Sequence, residues 1–493
     1  MKTRRIIIAG LFALLPLFIY SQIDKGLSYE VEAGATASGG EYAPFWLTAN
    51  KHGLSSIEKN YAYLRAGIYR PYEEDKRFTY GFGLDMAGLH NFTSRYVIQQ
   101  AYVDIRYRAW ELSIGAKERG SELKNDALSS GGMTFSSNAR PIPQARISLP
   151  EYISFPGTRQ WLHIRGHIAY GYYTDDRFKK NFTQGYSKYD QHALYHSKAV
   201  FMKLEHEKFP VIIEAGMEMG AQFGGKCYYP DGSVVDTPNG FWDFFRILVP
   251  MRGGEGSSES DQINILGNQL GSYHLSVTYP VADWKFRGYY EHYFEDGSGM
   301  VMKYGMWRDC LAGLEVTFPK NPFISSLVGE FLYTKHQSGA FHYFALEVPR
   351  VGSDSYTGAD SYYNNGQFAG WEHWGQGYGN PLLVSPIYNK DNNLDFQANR
   401  VKAYHVGISS NPTSELNCRL LMTFAKHWGT YASPFREIRK NNNALLEVTY
   451  SPERWKGWHF TLAGALDRGD MIGENNGGML TIRKEGLFGG KKK

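Results

Sequence analysis

Long apolar runs are scarce in this 493-residue chain. Beyond residue 21 none reaches the ~18–20 residues that a helix needs to cross a bilayer, which excludes helical membrane spans. Cysteine is scarce too. Cys227, Cys310 and Cys418 are too few, and odd in number, for a disulfide scaffold, and they read as incidental. Charge of one sign is nowhere concentrated. The formal net charge is +4, or about +1 without Lys2, Arg4 and Arg5 (4 − 3), and only Lys491 to Lys493 form a basic block, so nucleic acid is not an expected partner. Catalytic signatures are missing as well. The chain has no Gly-x-Ser-x-Gly elbow and no His-Glu-x-x-His motif, so the catalytic signal is poor and no catalytic residue, metal or cofactor is assigned.

What is present begins with a secretory signal. Lys2, Arg4 and Arg5 precede an apolar stretch from Ile6 to Tyr20, and Ser21 offers a small residue for cleavage before Gln22. The expected organisation is a signal peptide at 1–21 and a single domain at 22–493. Aromatic residues make up 15% of the chain, with 36 Tyr, 29 Phe and 11 Trp, beside 54 Gly. That suits a membrane barrel with aromatic girdles and tight turns.

The mature chain alternates apolar and polar residues over many stretches of about ten. Tyr80, Phe82, Leu84 and Met86 share one face and Gly81, Gly83 and Asp85 the other; Val103, Ile105 and Tyr107 oppose Asp104, Arg106 and Arg108. In a soluble sandwich the apolar face points inward, and in a transmembrane barrel it points at lipid. Strand candidates fall at 27–36, 60–70, 76–89, 96–108, 110–116, 160–173, 195–206, 210–222, 270–279, 284–295, 310–318, 324–334, 401–410, 416–427, 443–450, 456–466 and 477–484, with an eighteenth at 340–348. These lengths match the ~9–11 residues of a tilted spanning strand better than the ~5–6 of a globular one. No helical period is convincing. The fold expected is an all-β, antiparallel outer-membrane barrel of about 18 strands, closed by the long loops 117–159, 223–269 and 349–400.

Three loop constellations are candidate sites. Tyr42 to Asn50, with Tyr42 and Trp46, either buries itself in the barrel mouth or offers rings for a ligand to stack on. Phe241 to Phe245 with Trp242 and Asp243, followed by Asp261, Asn264 and Asn268, is read as a folded plug, with sugar binding as the alternative. The segment from Trp371 to Asn380 joins Trp371 and Trp374 to Glu372, His373, Gln376, Tyr378 and Asn380. Rings that stack on a sugar's C–H face beside groups that bond its hydroxyls make a carbohydrate site, whereas the same residues also make a small loop core.

Several of these motifs resemble a known family. Phe241-Trp242-Asp243-Phe244-Phe245 leading through Asp261 to Gly267-Asn268-Gln269-Leu270 is similar to a stretch of the Wzi outer-membrane capsule assembly family. So are Glu295 to Gly299, Tyr362-Tyr363 followed by Gly377-Tyr378-Gly379-Asn380, and Arg140-Pro141-Ile142-Pro143-Gln144 after Gly115-Ala116-Lys117. They run in order over roughly 110–385, and Tyr42 to Leu47 resembles the Bacteroidetes branch. The resemblance implies an 18-stranded barrel in the outer membrane of a Gram-negative bacterium. Such a barrel is implied to act like a lectin rather than an enzyme, on capsular or surface polysaccharide, amid outer-membrane lipid and lipopolysaccharide. An uptake or export channel and a rim-site hydrolase are the alternatives. Enterobacterial members carry a periplasmic helical segment before the barrel, whereas here the first strand is expected within about six residues of Ser21.

Overall fold

The computed structural model describes residues 26–339 and 360–488, apart from 255, 259–260, 263–264, 296–298 and 301–305. The signal segment, the strand expected at 340–348 and Asn264 lie outside the described residues. Eighteen strands form one antiparallel sheet that closes on itself. In chain order they are β1 Ser28–Gly39, β2 Ala62–Arg70, β3 Phe78–His90, β4 Tyr96–Tyr107, β5 Trp110–Ala116, β6 Gln144–Ser154, β7 Leu162–Tyr172, β8 Leu194–His206 and β9 Phe209–Phe223. Then follow β10 Asn268–Val281, β11 Trp284–Glu295, β12 Cys310–Thr317, β13 Ser326–Tyr333, β14 Val401–Ser410, β15 Leu416–Gly429, β16 Pro434–Tyr450, β17 Trp458–Gly469 and β18 Asn475–Leu487.

Closure is made by β1, which pairs with β2 on one side and with β18 on the other, from Ser28↔Leu487 to Gly39↔Asn476. Phe488 continues that seam: its N–H donates to the Leu27 carbonyl and its ring packs on Tyr29. Alternation sorts the two faces. Leu84 and Met86 are about half exposed on the outer wall, while Asp85 between them is fully buried inside. The outer apolar band, with Leu64, Ile68, Val103, Ile114, Ile147 and Met202, is the surface that lipid covers in a bilayer. Trp110, Trp161, Trp284 and Trp458 stand at the ends of strands joined by short turns, as in an interfacial girdle. The short turns mark the periplasmic side, and the long loops mark the extracellular one.

Two expectations about secondary structure need correction. The eighteenth barrel strand is β6, Gln144–Ser154, which lies inside the loop expected at 117–159, so that loop is only 117–143. The segment reads Arg-Ile-Ser-Leu-Pro-Glu-Tyr-Ile-Ser, and Pro150 with its register shift between Leu149 and Ile153 broke the alternation that marks the other strands. Short helices are also present: α1 Phe45–Thr48, α2 Asp176–Thr183 and α3 Phe241–Leu248. At four to eight residues they are too short to carry a readable 3.6-residue period.

The lumen is filled by loops 40–61, 117–143 and 360–400. Glu330, pointing inward from β13, accepts from the Ser130 N–H at 2.8 Å and from the Ser129 and Ser130 hydroxyls at 2.6 Å. His405 on β14 bonds the Leu128 carbonyl at 2.9 Å. Contact with the wall is close. A Cβ at Gly407 would sit 2.2 Å from the Leu128 carbonyl oxygen, and one at Gly220 would sit 2.5 Å from the Trp371 ring, so both wall positions require glycine. The loop expected to be the plug, 223–269, is not inside. α3 packs on the outer face of the wall, where Phe244 and Ile247 meet Tyr170, Leu194, Ala221 and Phe223. Trp242 is 67% exposed, and Asn268 belongs to β10, where its amide donates to Gln222 at 2.7 Å.

Candidate functional site

The extracellular end is organised by loop 360–400, in which Glu372–His373 and Gln376–Gly377 pair as a minimal hairpin. Its two turn residues are Trp374 and Gly375, both left-handed (φ +57° and +81°). Two positive φ values fit the twist of a two-residue hairpin, and glycine takes one without cost. Trp374 takes the other under strain, and strained residues cluster where a side chain has to be aimed. The Asp175 carboxylate holds it there by accepting its N–H at 2.9 Å.

Trp374 is half-buried and faces an open groove of about 1120 Å³. The walls come from the outward ends of β4 and β7 (Tyr96, Ile98, Tyr172), from Phe178 on α2, and from the hairpin. Three arginines line it, Arg95, Arg140 and Arg177, and no acidic residue does. Arg95 and Arg177 are exposed at the rim. Arg140 is different: it is 5% exposed and pairs with no carboxylate among the described residues. Its guanidinium lies 4.6 Å over the Trp374 ring and donates to Thr93 Oγ1 at 3.2 Å, Ser94 Oγ at 3.3 Å and the Gly53 carbonyl at 3.4 Å. Burial pulls its pKa down to about 10, with Asp175 acting in the opposite direction. A buried cation whose hydrogen bonds go to neutral acceptors and whose face lies on a ring makes the groove a candidate site for an anion.

Beneath the groove the residues singled out in the sequence turn inward. Trp371 is fully buried and donates Nε1–H to the Thr134 carbonyl at 2.9 Å. Glu372 faces buried Lys179, which also meets Asp190 at 2.8 Å and Asp175 at 3.4 Å; burial raises the Glu372 carboxyl. His373 lies between the Arg140 carbonyl and Thr174 Oγ1, each at 3.0 Å, and burial holds its pKa down at about 4. Gln376 donates to Ser55, Tyr378 to the Arg140 carbonyl, and Asn380 to Ser130 and Gly131. Trp46 is 2% exposed and bonds Thr423 at 3.2 Å, so the Tyr42 loop buries itself in the mouth; Tyr42, half-buried, packs edge-on against Tyr388. Of the site expected around Trp371, only Trp374 and the edge of buried His373 line the groove, and the other residues form the loop's own core. Arg95, Arg177 and Phe178 had no sequence signal beyond the Phe178–Phe182 pair one helical turn apart on α2. Arg140 stood only inside a resemblance motif.

Glu218, His274 and Glu291 gather ligand atoms within 4.8 Å of one another in the lumen, beside Ser272. Lys124 Nζ already supplies a cation, 2.9 Å from Glu291. The Ser272 hydroxyl (3.0 Å) and Glu218 (3.2 Å) both approach the same nitrogen, Nε2 of His274. A hydrolytic triad uses the two ring nitrogens separately, and Ser272 is fully buried under the plug, so the cluster reads as a packed polar network.

The model of the family described as capsule assembly protein Wzi matches residues 56–350, more than half of the chain. The chain belongs to the Wzi capsule-assembly family. Among solved structures it is similar to Wzi of Escherichia coli, described as an outer-membrane, carbohydrate-binding β-barrel involved in group 1 capsule assembly. The TM-score is 0.56 at 12% identity, covering 92% of this chain and 83% of that one, which shows a shared fold. Pseudomonas aeruginosa OpdL (TM-score 0.47, 8% identity, 93% and 97% covered) and OprD (0.44, 10%, 93% and 94%) are more distant barrels. No curated protein sequence matches. Membership of the Wzi family places the chain in the outer membrane, in agreement with its closed wall and apolar outer band.

Proposed function

We propose that this member of the Wzi family holds exported capsular or surface polysaccharide at the outer face, gripping it in the groove between Trp374, Phe178 and the three arginines. The observation that carries this reading is Arg140, a buried guanidinium without a carboxylate, at the floor of an aromatic-walled groove on the extracellular side. Trp374 and Phe178 supply faces for sugar rings, and Arg95 and Arg177 attract acidic groups along the polymer. One ring stacked on one sugar contributes only ~0.5–1.5 kcal/mol beyond area burial. Retention therefore comes from many repeats engaging many copies. Nothing in this mechanism needs catalysis, and the filled lumen favours a holdfast over a channel.

The test is the double variant Arg95→Glu, Arg177→Glu, whose side chains are exposed and leave the loop core intact. Cells making it should shed polysaccharide into the medium while synthesising as much as before, with the barrel still heat-modifiable on gels. Full retention by a correctly inserted double variant would remove the groove from the mechanism.

A further inference from the structure

α3 is the one helix of eight residues that lies outside the wall among the described residues, and its two faces differ. Phe244 and Ile247 pack onto the outer wall. Phe241, Trp242 and Phe245 point away from the protein at 82%, 67% and 48% exposure, and Val249 and Met251 extend the same apolar surface. The polar groups are neutralised within the helix: Asp243 accepts the Gly240 N–H at 2.9 Å and pairs with Arg246 at 2.8 Å. At the other end Lys198, pointing outward from β8, donates to the Ile247 carbonyl at 2.7 Å, a cation at the helix C-terminus. Three large aromatic rings facing water on so short a helix would be a liability in a soluble protein.

Their height on the barrel explains them. Phe209 stands at the periplasmic end of β9, and Met219 is about ten residue steps above it, opposite Lys198. At ~3.3 Å per residue and a tilt of ~40° that climb is ~25 Å, the thickness of the apolar band on such barrels. The helix covers the wall from the level of Lys198 upward to Phe223, which is the level where hydrocarbon gives way to headgroups. We infer that α3 is an interfacial anchor whose Phe241–Trp242–Phe245 face inserts into the outer leaflet of the membrane beside the barrel. Short amphipathic helices with Trp and Phe on one face lie in that plane, their rings ~5–10 Å below the headgroups. The occupant is lipid because the exposed face continues the lipid-facing wall directly below it: Val200 and Met202, 40% and 49% exposed, are the next outward residues of β8 beneath Lys198. Tyr170 under Phe244 and Tyr172 in the groove are successive outward residues of β7, which sets the helix beside the groove. α3 thereby fixes the groove at the membrane surface.

The inference is tested by depth. The full-length protein, with Cys418→Ser to remove its half-buried thiol, receives Trp242→Cys and an environment-sensitive fluorophore. It is reconstituted into phosphatidylcholine vesicles carrying spin labels either near the headgroup or near the middle of the acyl chain. Leu84→Cys on the wall and Asp231→Cys in the exposed hairpin of the same loop serve as references for deep and aqueous positions. The label at 242 should be quenched several-fold more by shallow spin labels than by aqueous iodide, the label at 84 most by deep ones, and the label at 231 by iodide. A label at 242 that follows 231 overturns the inference. So does quantitative disulfide formation between copies through position 242, which would make a second copy the occupant. If Trp242→Cys does not fold, Phe241→Cys reports on the same face.

Discussion

Trp371 on loop 360–400 donates its indole N–H to the carbonyl of Thr134 on loop 117–143, two residues 237 positions apart in sequence. The two largest pieces of the plug are thus joined by a ring that solvent does not touch, whereas Trp374, three residues later, faces the groove. Trp371→Ala is expected to destabilise the folded loops by ~3–5 kcal/mol, as loss of a buried Trp does, and to lower the temperature at which the band shifts on gels. Trp374→Ala should leave that temperature nearly unchanged and release polysaccharide. Equal stability effects from the two would mean that Trp374 also belongs to the core.

Lys179 is fully buried between Asp175, Asp190 and Glu372. Lys179→Met leaves those carboxylates without their cation, and removing one partner of a buried ion pair costs ~3–5 kcal/mol. The expected outcome is a barrel that still inserts but whose extracellular loops are cut by added protease. Protease resistance equal to that of the parent would show that the carboxylates find protons or water at little cost.

His373 gives the loops a pH dependence. Its pKa is about 4 in the folded protein against an ordinary value of 6.5, because burial disfavours the imidazolium. Between these values the unfolded chain binds a proton that the folded loop refuses, so stability is flat above pH 6.5 and falls as pH drops toward 4, by up to about 3 kcal/mol. Asp309, raised to about 6 by burial, works in the opposite sense over part of that range. The measurement is therefore a comparison of slopes: His373→Gln should flatten the fall in the midpoint between pH 6.5 and 4. An unchanged slope would assign the dependence to other groups.

Leu84→Arg places a charge on the lipid face near mid-wall and should cost ~2–4 kcal/mol. The neighbouring inward residue is no neutral control. Asp85 accepts from Arg65 and from Tyr69, the latter at 2.9 Å, so Asp85→Asn also destabilises, by leaving Arg65 with Glu118, at 3.1 Å, as its remaining carboxylate rather than through lipid. Vesicles enriched in short-chain lipid should soften the first loss and not the second, and identical responses would mean the faces are misassigned.

Planar-bilayer conductance separates the loops. The intact protein should conduct little. Deleting 240–253 should leave that unchanged because the segment lies outside the wall, whereas deleting 123–137 should open a pore. Large steps from the first deletion would return it to the lumen.

Most of the wall was legible because a period of two, repeated over ten residues, survives any loop. Seventeen strands were marked by it, and β6 was not, since Pro150 and a register shift interrupt its alternation. The loops were legible only as long and ordered. Aromatic residues announce burial and stacking equally, so Trp371 and Trp374 looked alike, and the left-handed turn that turns one inward and the other outward is a property of the folded hairpin. The same ambiguity put Trp242 in the lumen, when its exposed neighbours Phe241 and Phe245 lie against the membrane side. Arg140 was legible only as part of a resemblance motif, because an arginine's lack of a carboxylate partner is visible only when everything around it is in place.

The first extracellular loop is tied to the last strands of the chain. Asn475 accepts the Glu41 and Tyr42 N–H groups, and Asp467 accepts that of Phe45, partners more than 420 residues apart. These bonds have no counterpart until β17 and β18 have joined the wall and met β1. The mouth is therefore the last part of the molecule to set, and a barrel that stalls before its final hairpin displays a loose first loop, an exposed mark by which incomplete assembly is distinguishable from the finished protein.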